Sequence, residues 1–144
     1  MHRRSLYQFA PATLAALFTL ALASCATTPT RPVVVLPNGY YLTPDKNEQS
    51  EIIKRGGRVV LPGPIAAYAI SRNVVTGALG TAPTAGRLYS DQPYKGGPDT
   101  RYFILDTADG KLQSSLDAVQ WKDGLKALGA PADLEIYPPL PWNQ

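Results

Sequence analysis

The chain has 144 residues, with 14 Lys and Arg against 11 Asp and Glu, for a formal charge of +3. Its one histidine, His2, and its one cysteine, Cys25, both stand within the first 25 residues. The remainder is one domain's length and is excluded from His–Cys zinc sites, histidine-based triads and disulfide scaffolds.

The first segment reads as an export signal. Arg3 and Arg4 give a positive start, and an uncharged apolar run extends from Ala12 to Ala23. A run of about a dozen residues is too short for a membrane-spanning helix, which needs roughly 20, but it suits the core of a signal peptide. It ends in Leu22-Ala23-Ser24-Cys25, which resembles the lipobox of bacterial lipoproteins at every position. The resemblance implies that the Cys25 sulfur takes a diacylglycerol, that residues 1–24 are removed, and that the new amine is acylated. Two or more acyl chains give stable anchoring in a bilayer. Ala26, in place of an aspartate after the cysteine, implies transport to the outer membrane by analogy with Gram-negative enteric bacteria. The expected location is lipid-anchored and periplasm-facing, with the inner membrane as the lesser alternative.

Removal of residues 1–24 leaves twelve Lys and Arg against eleven Asp and Glu, a side-chain charge of +1. A domain this close to neutral does not advertise nucleic-acid binding. Residues 25–37, with Pro29 and Pro32, read as a lipidated, flexible tether, and Val33–Leu36 is assigned to it rather than to a first strand. Residues 38–144 read as one small domain.

Short strand-like runs follow, broken by turn residues: Gly39–Thr43, Glu51–Lys54, Arg58–Leu61, Ile65–Ser71 and Val74–Leu79. Gly56-Gly57 fits a tight hairpin that needs positive φ, and Pro62-Gly63-Pro64 stops the third run. Arg72-Asn73 is the next turn, with Asn73 as the left-handed residue. In Ile65–Ser71, alternation puts Ala66, Tyr68 and Ile70 on one face and Ala67 and Ala69 on the other. Residues 80–100 are rich in Gly and Pro and read as a long loop, holding at most a short strand at 87–90. The loop supplies the candidate partner-binding residues Arg87, Tyr89, Tyr94 and Lys95, because Tyr and Arg are enriched where proteins bind one another. With few large apolar groups, residues 81–99 are expected to be dispensable for folding.

Tyr102–Leu105 is the strongest strand signal, and Asp106 to Lys111 is a turn that returns as Lys111–Ser114. One helix follows. Asp117 is its expected N-cap with Gln120 at the capping-box position, and Leu116 and Trp121 take the staple positions. Trp121, Leu125 and Leu128 form the apolar stripe, and Gly129 and Pro131 end the helix. Gly124 inside it costs roughly 1 kcal/mol against Ala. Leu134–Tyr137 is a final short strand, and Pro138–Trp142 an extended tail that could dock on a partner. The stretch from Tyr102 to Thr107, the turn closing at Gly110-Lys111 and the Trp-bearing helix together resemble small lipoproteins of Gram-negative bacteria and their phages. That group has no assigned activity, so the resemblance implies architecture and location only.

The fold expected is α+β: a mostly antiparallel β-meander with one α-helix in the C-terminal half. Asp106 and Asp109 could serve as an acid–base pair or hold calcium, but turn aspartates usually cap their own backbone. Trp121 could stack on a ligand, but its stripe points to the core. No catalytic residue, metal or cofactor is assigned. The function expected is a non-enzymatic binding or accessory module of the cell envelope, whose partners are the bilayer, through acylated Cys25, and an envelope protein. The alternatives are an exclusion or immunity lipoprotein of a phage or mobile element, and a carboxylate-dependent envelope hydrolase, which needs two carboxyl groups facing one groove.

Overall fold

Hydrophobic runs that alternate with Gly, Pro and Asn turns fold here as two successive meanders. The structure, a computed structural model, describes residues 33–81 and 92–139. Strands β1 (Val34–Leu36), β2 (Tyr40–Pro44), β3 (Ser50–Lys54) and β4 (Arg58–Leu61) form one antiparallel sheet in chain order. Strands β5 (Ile65–Ser71), β6 (Val74–Leu79), β7 (Arg101–Asp106) and β8 (Lys111–Leu116) form the second, again in chain order. Pro62-Gly63-Pro64 lies between β4 and β5, where proline cannot donate to a ladder and the chain changes sheet. The helix α1 (Ala118–Ala127) follows β8. The α+β architecture, mostly antiparallel with one helix, is as expected from the sequence.

The second sheet is the middle layer of three. Toward the first sheet it presents Ile65, Val75, Phe103 and Leu105, which meet Leu36, Tyr40, Leu42, Ile52 and Leu61. Its other face presents Ala67, Val74, Ala78, Tyr102 and Ile104 to Trp121 and Leu125 of α1 and to Ala130 and Ile136 beyond it. A strand covered on both sides needs apolar groups at every position, and Tyr102–Leu105 is buried without a break.

Several expectations change. Val34–Leu36, assigned to the tether, is a strand paired with Tyr40–Leu42. Its Leu36 side chain is 2 % exposed, and that burial holds the segment in the sheet. In β5 a bulge between Ile65 and Ala67 breaks the simple alternation, because the extra residue shifts the facing of the residues after it. Ala66 and Ala67 both join the helix-side core, while Tyr68 packs on the other side. In the β5–β6 turn the residue with positive φ is Arg72, at 54°, and not Asn73. The Asn73 carbonyl is engaged instead by the Thr107 N–H at 2.8 Å and the Thr107 hydroxyl at 2.6 Å. Asn38, between β1 and β2, donates to Thr107 Oγ1 at 2.9 Å, so three turns from both sheets are tied together. Leu134–Tyr137 is reduced to one bridge, with Tyr137 exchanging both backbone bonds with Tyr68 at the β5 edge.

The helix begins as its sequence implies. Asp117 Oδ1 accepts from the N–H groups of Val119 and Gln120, both at 2.9 Å, and Gln120 Oε1 accepts from the Asp117 N–H at 3.1 Å. Asp117→Ala is expected to cost about 0.5–2 kcal/mol, read as a lowered denaturation midpoint; an unchanged midpoint contradicts the cap's role. At the other end Gly129 has φ 70°, and the N–H groups of Gly129 and Ala130 bond to the carbonyls of Lys126 and Leu125. That is a Schellman closure. Leu128, expected in the buried stripe, is 37 % exposed, while Ala130 just beyond Gly129 is buried in the helix-side core. Gly124 proves to be a point of close approach: a Cβ there would lie 2.6 Å from Ile104 Cδ1. Its helix-propensity cost is therefore offset by how closely α1 seats on β7.

Candidate functional site

The features with chemical potential are Cys25, part of a long loop, a groove and the outer face of one sheet. Cys25, Arg87 and Tyr89 lie outside the described residues. Of the other two loop candidates, Tyr94 is half-buried against the helix-side core, and its N–H bonds to the Ile136 carbonyl at 2.8 Å. Burial pushes the Tyr102 hydroxyl above its ordinary range, with Tyr94 adding to the effect. Lys95 is exposed. Gly96 lies so close to the Tyr102 hydroxyl and the Thr100 side chain that any Cβ there would collide. Tyr94 and Gly96 therefore touch the packed structure, while Lys95 and residues 97–99 are exposed. Tyr94 and Lys95 adjoin in the chain, but Tyr94 points into packing and Lys95 to solvent.

Asp106 and Asp109 cap their own turn. Asp106 accepts from the Ala108 N–H and Asp109 from the Lys111 N–H, each at 2.9 Å, and Asp109 pairs with the Lys111 ammonium at 3.0 Å. The Lys111 N–H bond first, then the ammonium, holds the Asp109 carboxyl below its usual range. Among the described residues no group of three His, Cys, Asp or Glu could hold a metal ion.

Trp121 is 7 % exposed, and its ring stacks on Tyr102 with centroids 4.3 Å apart. Its indole N–H donates to Thr76 Oγ1 at 2.7 Å, and that hydroxyl donates in turn to the Phe103 carbonyl at 2.6 Å. A fully buried threonine thus satisfies the ring's polar atom, and Trp121 belongs to the core rather than to a ligand platform. Of the tail, Pro138 and Pro139 are described; residues 140–144 lie outside the described residues.

A groove of about 320 Å³ opens between the edge strands β4 and β8. Val60, Leu61, Pro62, Pro64, Leu79 and Leu112 line it, with Ser114 and Ser115 at its margin. None of the residues lining it is a carboxylate, so it lacks the pair of acids that sugar hydrolysis needs.

The feature that sequence reading missed is the outer face of the first sheet. Val35, Tyr41, Ile53 and Val59 stand opposite one another in the four successive strands. Val35 and Val59 are exposed, and Tyr41 and Ile53 are half-buried. The signal was present: β1 to β4 read as unbroken apolar pairs and triplets, where one-sided strands would alternate. No family model, curated protein or solved structure matches the chain.

Proposed function

We propose that this chain is a lipid-anchored, non-enzymatic binding or accessory protein of the cell envelope. Acylated Cys25 holds it to the outer membrane, facing the periplasm. The observation that carries this reading is Leu22-Ala23-Ser24-Cys25 at the end of an uncharged apolar run that follows Arg3 and Arg4. A lone cysteine directly after small residues has its simplest use as the acylated terminus of the mature chain. Binding is favoured over catalysis because the turn carboxylates Asp106 and Asp109 are committed to their own backbone, while the open features of the surface are apolar.

The test is mass spectrometry of the N-terminal peptide of the protein isolated from membranes. A peptide that begins at Cys25 and carries diacylglycerol and acyl mass is the expected result. Cys25→Ser is expected to leave an uncleaved, unacylated precursor. An unmodified Cys25 in the native protein overturns the proposal.

A further inference from the structure

The groove between β4 and β8 is apolar along its length, and its two ends differ in charge. Val60 and Leu61 form its β4 wall and Leu112 its β8 wall, and all three also pack in the core between the sheets. Two residues before Val60, Arg58 stands opposite Lys54 of β3, and Lys54 stands opposite Tyr40 of β2. Tyr40 is buried in the same core, and Lys54 Nζ lies 5.3 Å from the centroid of its ring. Lys54 and Arg58 therefore stand on the inner face, which is also the face that Val60 and Leu61 turn to the groove. The step from Arg58 to Val60 is about 7 Å along the strand. β8 starts at this end too, since a Cβ on Gly110 would lie 3.2 Å from the Tyr40 hydroxyl.

Like charges directly opposite each other across a ladder are destabilising. Among the described residues no carboxylate pairs with Lys54 or Arg58. The acids at this end are committed elsewhere: Asp106 and Asp109 accept from the N–H groups of their own turn, and Asp109 pairs with Lys111. Lys111 alternates in step with Gln113, which reaches toward Gly124 of α1, so that pair lies on the far side of β8 from the groove. At its other end the groove is lined by Pro62, Gly63 and Pro64. Gly63 lies there against Gln49 and Ser50, where the β2–β3 turn carries Asp45 and Glu48 beside Lys46.

Small-molecule sites are mostly apolar, with a few polar groups that fix orientation. Here the polar groups select an occupant with an anionic end, and the walls select an apolar body. At about 320 Å³ the groove is near the lower limit of such sites. That volume suits one acyl chain rather than the two chains and glycerol of a phospholipid. A guanidinium matches a carboxylate through paired hydrogen bonds. We propose that the groove holds a free fatty acid, with its chain along Val60, Leu61 and Leu112 and its carboxylate between Arg58 and Lys54. The carboxylate offsets the repulsion between the two cations. The proposal rests on the reading of the chain as a binding protein and does not depend on acylation of Cys25.

The experiment uses the full chain isolated from membranes and reconstituted in phosphatidylethanolamine vesicles. Dodecanoic acid carrying a photoactivatable diazirine near its methyl end is the probe. Adducts are mapped by peptide mass spectrometry, and the mass of the Cys25 peptide is read in the same sample. Adducts several-fold more abundant on Val60–Pro64 and Leu112–Ser115 than on Val119 and Lys122 of α1 are expected, displaced by dodecanoate and not by dodecylamine. Lys54→Gln with Arg58→Gln is expected to lower groove labelling about ten-fold, the loss of one hydrogen bond between charged groups. Both side chains reach solvent, so the denaturation midpoint is expected not to fall. Ser114→Trp, at the exposed margin, is expected to fill the groove and abolish labelling. Equal displacement by dodecylamine, or labelling that survives the loss of both cations, overturns the proposal. Stronger displacement by a lysophospholipid than by dodecanoate overturns it in favour of membrane lipid. An unlabelled groove overturns it in favour of a polypeptide occupant and, with Cys25 acylated, leaves the anchor standing. A labelled groove with Cys25 unmodified removes the anchor and upholds the proposal.

Discussion

Trp121→Ala is expected to lower the unfolding free energy by about 3–5 kcal/mol, the range for removing a large buried aromatic ring. Three separate contributions disappear together. The ring leaves a cavity beneath α1, the face-to-face contact with Tyr102 is lost, and the Thr76 hydroxyl loses the donor that points at it. Domains of this size hold about 5–15 kcal/mol in all, so the variant is expected to be partly unfolded at physiological temperature. Thr76→Val isolates one part of this effect. It keeps the shape but leaves the buried indole N–H without an acceptor, at about 1–3 kcal/mol. Denaturant titration followed by far-ultraviolet circular dichroism measures both. If Trp121→Ala shifts the midpoint no more than a surface substitution does, α1 is not held by this ring.

Phe103→Ala is expected to cost as much, about 3–5 kcal/mol, but on the other side of the middle sheet. Phe103 is fully buried between the sheets and stands opposite Gly77 of β6. The two positions form a unit, since a Cβ on Gly77 would lie 2.9 Å from Phe103 Cε1 and would also collide with the Ala67 carbonyl oxygen. Gly77→Ala is therefore expected to destabilise as well, by about 1–3 kcal/mol for forced overpacking. Trimming the ring is not expected to rescue it, because the clash with the Ala67 backbone remains. Full recovery of the Gly77→Ala midpoint by Phe103→Leu would show that the ring alone sets the constraint.

Hairpin turns and helix caps were legible because they rest on local chemistry. Gly56 and Gly57 take the positive φ values that their hairpin needs, at 94° and 82°. Asp117 and Gln120 cap α1 through contacts within three residues of each other. Asp106 and Asp109 close their own turn for the same reason. Of the candidate site residues, the structure speaks to Tyr94 and Lys95. The backbone bond of Tyr94 to Ile136 was not legible, because residue type and loop context do not reveal a carbonyl that is distant in sequence.

By itself the sequence determined most of the strand segments, the single capped helix, the absence of histidine after position 2 and the resemblance of its first 25 residues to a lipoprotein leader. Each of these depends on residue identity or on spacing within a few positions. Only the tertiary structure decided that the strands divide into two sheets with the second in the middle. It also decided that Val34–Leu36 belongs to the first sheet, and that Gly77 and Gly124 mark contacts between elements rather than weaknesses within them. Those outcomes depend on which faces meet, and periodicity along one strand says that a face is apolar without saying what covers it. The row from Val35 to Val59 shows the difference. Its four residues come from four strands, and pairing register alone lines them up on one face.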